Sequence, residues 1–344
     1  MFITVRALTV SSAGNRTLRV MKNQFTLSRE EIERIIAPYV GRRITTTSTE
    51  WRDLVAHEAD LRRLRYFYWR QRLFGWLRSR QSRGQFVEKT YDRIWSQSDF
   101  AEDFDPARNR MPLQWNEQGF VASAAVTHRL HLALLIKAIR ALRPRTVLEV
   151  GSGRGLNLLV LSCALPETKF KGLELTESGT AVSRAQVAAP RLSEALVKFM
   201  PEPLIDPMAY RRIEFERGSA ERIPYHDASF DLVFTRLALE QMEAIRTRAL
   251  AEIARVARNH VILIESFREM NDTGLRRTYA IGRDYFRGSI AELQHYGLEA
   301  TTVFADWPHK VTLQPVFVVT RRVGNGTKNP PRTRDNAENS GAAS

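Results

Sequence analysis

The sequence holds a single cysteine, Cys163. One cysteine excludes an intramolecular disulfide and any cysteine-built zinc cluster, and it fits a reducing, cytoplasmic compartment. Long apolar runs are missing too. Leu132–Ile136 and Leu156–Leu165 are the longest, well short of the roughly 18 residues a membrane-crossing helix needs. Lysine is scarce, with 8 against 44 arginines, and acid is scarce ahead of residue 146. Residues 1–145 carry 26 basic and 14 acidic side chains, whereas residues 146–323 carry 23 and 22. The net charge of +14 therefore sits almost wholly in the N-terminal part. Such a part meets anions such as phosphates, lipid headgroups or acidic sugars, unless the arginine richness is a general bias of composition. With 43% hydrophobic and 26% charged residues over 344 positions, the chain has room for about two domains, or one with a large extension.

Residues 1–29 contain no acid, and Arg6 interrupts their only apolar stretch, so a secretory signal is not expected. A start at Met21 gives as sensible a protein as one at Met1. Disorder is expected over 1–24, and over 323–344 from its Gly, Asn, Pro and Ser. Residues 25–120 read as a basic helical extension. Ser28 and Glu31 form a capping box, opening a short helix that stops at Pro38. A longer helix is expected from about Thr47 to Arg80. Within 66–80 it interleaves Tyr66, Trp69, Phe74 and Trp76 with Arg70, Arg72 and Arg78. That mixture suits an anionic membrane surface or a solvated helix packed on a second domain; nucleic acid is the weaker fit. Residues 86–120 read as short helices and loops. A helix over 121–142 follows, with Leu132, Leu135, Ile136 and Ile139 on one face. His128 and His131 lie three apart on it, and no nearby carboxylate completes a metal set, so no metal is expected.

The chemistry is concentrated beyond Pro144. A β-branched strand, Thr146–Val150, runs into Gly151-Ser152-Gly153-Arg154-Gly155 and then an apolar helix. The glycines allow a tight turn and close approach of a ligand to the backbone, and the helix start offers free N–H groups. A dinucleotide fingerprint needs G-x-G-x-x-G, but Leu156 stands at its third glycine, and Glu149 opposes a pyrophosphate. A carboxylate there suits a cationic ligand. A second strand ends in Glu174, placed to accept from ribose hydroxyls. Gly218–Pro224 and Phe230–Val233 form a loop and a further strand, and Val261–Glu265 another.

Residues 146–265 resemble the core of class I S-adenosylmethionine-dependent methyltransferases of the type 11 group. Glu149–Gly155 match the first motif and Glu174 the ribose-binding acid. Gly218–Pro224 with Phe230–Val233 match the later motifs, and the likeness extends over about 125–322. It implies an α/β, doubly wound, Rossmann-like seven-stranded sheet, mostly parallel with the last strand antiparallel, in a domain spanning 121–322. Leu298–Phe304 and Val311–Thr320 are the expected strands six and seven. The implied cofactor is S-adenosyl-L-methionine. It would be held by Glu149, Gly151, Ser152, Gly153 and Gly155, by Glu174 with Leu175 against the adenine, by Ser219 and Ala220 at the adenine edge, and by Thr235 toward the methionine end. Ser219 stands where the family usually has Asp, and Gln241 where many members have His. Glu240 and Arg236 are then the nearest candidates for acid–base chemistry and for an anionic acceptor. The implied reaction is methyl transfer to a small-molecule, lipid-linked or saccharide acceptor; a cytoplasmic location is expected from the lone cysteine, and peripheral membrane contact through 66–80 from its interleaved rings and arginines. The alternatives are an RNA methyltransferase anchored by the basic extension, or a non-catalytic partner protein of the same fold.

Overall fold

The computed structural model describes residues 24–74, 80–97, 104–105 and 110–323. Of the two ends expected to be disordered, all but Gln24 and Val323 lie outside the described residues, as do residues 75–79 of the aromatic stretch.

The first helix, α1 (Arg29–Ile36), starts on the expected box: Glu31 N donates to Ser28 Oγ at 3.1 Å, and Ser28 N to Glu31 Oε2 at 2.6 Å. The extension is not purely helical. After α1 comes a strand, β1 (Val40–Thr45). The expected 47–80 helix is two helices, α2 (Thr49–Ala59) and α3 (Leu61–Phe74), parted by Asp60 in the left-handed conformation at φ 39°. The Asp60 carboxylate then accepts from Arg63 N at 3.3 Å, capping α3. Helix α4 (Arg80–Gln97) follows. The residues up to 120, read as helices and loops, instead contain strand β2 (Arg110–Trp115) and the start of β3 (Gln118–Ser123). The boundary expected at 120/121 thus cuts a strand, and the helix read from Val121 begins at Ala125 as α5 (Ala125–Leu142).

Strands β4 (Thr146–Val150), β5 (Lys169–Glu174), β6 (Glu214–Arg217), β7 (Phe230–Arg236), β8 (Ala257–Glu265) and β9 (Leu298–Phe304) alternate with α6 (Leu156–Ala164), α7 (Glu177–Ala188), α8 (Glu194–Phe199), α9 (Arg246–Val256), α10 (Arg268–Asn271) and α11 (Gly274–Arg283). Two more strands, β10 (His309–Lys310) and β11 (Val316–Arg322), complete the chain; β11 begins five residues later than the Val311 start read from sequence. The large sheet has order β6-β5-β4-β7-β8-β11-β9. Its first five strands pair in parallel, and β11 runs antiparallel to both β8 and β9. The doubly wound sheet with an antiparallel last strand is as expected.

Alternate residues of each strand feed two cores, as the period of two demands. Val147, Leu232, Phe234, Ile262 and Ile264 pack with α5, α6 and α1 on one face. Leu148, Val150, Val233, Val261 and Leu263 pack with α9 on the other. A second sheet, β1-β3-β2-β10, lies over the first core, to which it contributes the buried Leu113, Trp115 and Phe120.

Candidate active site

The glycine-rich turn sits where parallel strands end and the first crossover helix begins. Gly151, Gly153 and Gly155 have φ of 77°, 53° and 77°, a region costly for side chains with a Cβ. Space forbids a side chain as well. A Cβ on Gly155 would stand 2.5 Å from Phe215 Cζ, and one on Gly151 2.6 Å from the Ala238 Cβ. The turn is tied to β5 because Gly151 N and Ser152 N both donate to Leu173 O, at 2.8 and 3.1 Å.

Glu174 is buried at the end of β5. Its Oε2 accepts from Gly153 N at 2.8 Å, and its Oε1 accepts from Thr176 N at 2.9 Å and Thr176 Oγ1 at 2.7 Å. The carboxylate therefore holds the glycine turn against the start of α7. Leu175 is half-buried beside it, and Gly218 N donates to Glu174 O at 2.8 Å. At the next loop Ser219 Oγ accepts from Glu221 N at 3.2 Å, and Ala220 is buried in the second core.

Glu149, on β4, is fully buried. Asn157 Nδ2 donates to its Oε1 at 2.5 Å, and Asn157 Oδ1 in turn accepts from His128 Nε2 at 2.8 Å. Burial pushes the Glu149 carboxyl up to about 8, against the pull of the Asn157 bond. Among the described residues its Oε2 and Ser152 Oγ, both buried, have no hydrogen-bond partner, while the Thr235 side chain draws the neighbouring Glu265 carboxyl down. Glu265, at the end of β8, is fully buried, accepts from Ala238 N at 3.1 Å, and is likewise raised by burial to about 8.

Arg236 lies among these acids. Its Nε donates to His131 Nδ1 at 3.2 Å, and Glu149, Glu240 and Glu265 all act electrostatically on the guanidinium. His128 and His131 are held far below the usual imidazole range, first by burial and then by Arg236, so both rings are neutral. Each faces this centre from α5, which sequence spacing could not reveal. Glu240 follows β7 in a short 3-10 turn and is partly buried. Burial raises its carboxyl to about 7, opposed mainly by Lys310. Around it stand phenols from three places in the chain: Tyr91 on α4, Tyr279 on α11, and Tyr285. Burial, and then the Glu240 charge, holds the hydroxyls of Tyr91 and Tyr285 above the ordinary tyrosine range.

Helix α4 covers the glycine turn. A Cβ on Gly153 would lie 3.2 Å from Trp95 Cζ2, and Arg154 stacks over the Trp95 ring at 5.1 Å. Asp92 caps α7, accepting from Ser178 N at 3.0 Å, while Glu88 pairs with Arg217 at 3.1 Å. Tyr91, Trp95, Asn157 and the two histidines are the site residues that motif spacing missed. Only the histidine pair, three apart on one helix, left a sequence signal.

Comparison with known proteins follows this geometry. Residues 148–264 match the family model described as "Methyltransferase domain". An uncharacterized methyltransferase of Bacillus subtilis, YcgJ, is 25% identical over 148 residues, covering 43% of this chain and 50% of its own. The demethylmenaquinone methyltransferase of Deinococcus radiodurans is 27% identical over 177 residues, covering 52% and 58%. The chain thus spans about half the length of the curated relatives it matches. A solved structure, the geranyl diphosphate C-methyltransferase of Streptomyces coelicolor A3(2), aligns with TM-score 0.46 at 10% identity over 69% of this chain and 97% of that one.

Proposed function

We propose, from the premise that residues 148–264 form a class I S-adenosylmethionine-dependent methyltransferase domain, that the protein transfers a methyl group to a small-molecule acceptor bearing an acidic hydroxyl. One observation carries the choice of acceptor: the partly buried Glu240 carboxyl, raised to about 7, set among Tyr91, Tyr279 and Tyr285 beyond the end of β7.

The residues fit the cofactor. Two buried oxygens at the end of β4, Glu149 Oε2 and Ser152 Oγ, lack partners among the described residues, and a cation with an ammonium group would supply donors and opposite charge. The side chains of Ala238, Trp95 and Phe215 pack directly against the three glycines of the turn. Glu174 offers about four acceptor sites, three of them in use. The remaining site would receive a ribose hydroxyl. Leu175 and Ala220 flank the adenine, with Ser219 as a neutral acceptor at its edge. When bound, S-adenosylmethionine supplies an electrophilic methyl on a sulfonium.

The chain's own contribution is placement and proton handling. Glu149 orients the turn through Asn157 and presents its free oxygen to the ammonium. Arg236, already drawn on by three acids, balances their charge. Glu240 takes the acceptor's hydroxyl proton as it becomes an oxygen nucleophile. A base with a pKa near 7 is well matched to that task, and the surrounding phenols exclude water and orient an aromatic or conjugated acceptor.

Calorimetric titration with S-adenosylhomocysteine tests the cofactor site, and absence of binding refutes it. Glu240→Gln tests the base. Turnover should fall at least about a hundredfold while cofactor affinity stays unchanged. Unaltered turnover would remove Glu240 from the chemistry.

A further inference from the structure

We propose that α3 seats the protein on an anionic bilayer. The structure separates the two faces of this helix. Leu64 is buried, and Phe67 and Tyr68 lie against Gly282 of α11, where a Cβ would stand 3.2 Å from Tyr68 N. The tight approach of the two helices fixes which side of α3 points away. On that side Tyr66 is 63% exposed and Trp69 56%, and Leu73 and Phe74 are exposed in the last turn. A soluble helix usually turns such side chains inward.

Charge identifies the occupant. Residues 61–74 hold Arg62, Arg63, Arg65, Arg70 and Arg72 and no acid. On a helical wheel Arg65 and Arg72 flank one side of the Tyr66–Trp69 pair, and Arg63 and Arg70 the other. This is the pattern of a helix lying in the headgroup plane, with ring systems at interface depth and guanidinium groups on lipid phosphates. A nucleic acid uses the arginines and aromatic rings but gains nothing from the exposed Leu73. The bilayer uses all of them. Helix α11, on which α3 packs, also carries Tyr279 of the phenol cluster around Glu240, so a membrane seated on α3 lies on the side of the fold to which the proposed function assigns the acceptor.

The test uses the full-length protein and vesicle flotation, with phosphatidylcholine alone or mixed with phosphatidylglycerol. Binding to the mixed vesicles at low salt is expected, weaker binding at high salt, and little to the neutral ones. Combined Arg62→Gln, Arg65→Gln and Arg72→Gln should lower partitioning up to about a hundredfold at low salt. Tyr66→Ser with Trp69→Ser should lower it at every salt concentration, because apolar insertion is not screened. These side chains are exposed, so melting temperature and S-adenosylhomocysteine affinity should stay at wild-type values. That separates this inference from the methyl-transfer reading, which a cofactor titration tests alone. No flotation with phosphatidylglycerol at low salt overturns the proposal. So does flotation that the arginine variant leaves intact, or binding of poly(U) RNA in place of vesicles.

Discussion

Replacing Glu174 separates the bonds with which it holds the glycine turn from the ribose binding proposed for it. In Glu174→Ala, Gly153 N, Thr176 N and Thr176 Oγ1 lose their acceptor together. Bonds to a charged acceptor are worth roughly 1.5–3 kcal/mol each. The three do not add in full, because water enters the space left by the side chain, so a loss of about 3–5 kcal/mol is expected. Glu174→Gln is the sharper variant. Its amide oxygen can keep both Thr176 bonds, but its NH2 then meets the Gly153 N–H donor head on. One bond is lost and a donor is left facing a donor, for a loss of about 1.5–3 kcal/mol. Urea denaturation reads the stability, and titration with S-adenosylhomocysteine reads the ribose. Both variants should lose cofactor affinity, with Ala the less stable of the two. If Glu174→Gln unfolds at the wild-type midpoint, the carboxylate does not hold the turn. If it binds cofactor unchanged, the ribose assignment is wrong.

Two further tests concern the same centre. Gly155→Ala should cost about 2–5 kcal/mol, because left-handed strain adds to overpacking against Phe215, whereas Gly153→Ala, facing a yielding Trp95, should cost about 1–2 kcal/mol; chemical denaturation giving the reverse order would refute the packing account. Stability should also fall as pH rises. Glu149 binds a proton in the folded chain up to about 8 but in the unfolded chain only to the ordinary carboxyl value of 4.5, so its contribution is fully present below the unfolded value and lost on rising through the folded one. Glu265 shifts the same way. Urea midpoints from about pH 5 to about pH 9 should decline, and Glu149→Gln, which keeps the Asn157 bond, should flatten the slope; an unchanged slope would show that Glu149 is already ionised.

Much of this was legible in the sequence because the central strands are buried on both faces. They carry short apolar runs such as Leu232–Phe234 and Val261–Ile264, and the glycine turn follows the first strand. The small sheet was not legible. Its strands are six residues or fewer, one holds Pro112, and the hairpin turns on Asn116 at φ 53° without the glycine that would have announced it. The break at Asp60 was hidden likewise, since aspartate reads as a helix-surface residue until its left-handed φ is known. The helical period placed His128 and His131 on one face, but only the packing of α5 shows that this face meets Asn157 and Arg236. Tyr91 and Trp95 sit on a helix with no motif at all.

The small sheet has a consequence for synthesis on the ribosome. Its strands β1, β2 and β3 all lie within residues 40–123, but the fourth, β10, is translated only at residues 309–310. Asp306, which accepts from Trp115 Nε1 at 2.6 Å, comes 191 residues after it. Until then the outer edge of β2 is open to pairing with any extended chain nearby. Pro112 withholds one N–H from that edge, and β10 later covers Leu113 and Gln114. A nascent chain stalled before residue 309 should therefore be stickier than the finished protein. Fragments made by cutting away either end lose part of a shared core, so the matched segment is poorly suited to isolation as a free-standing module.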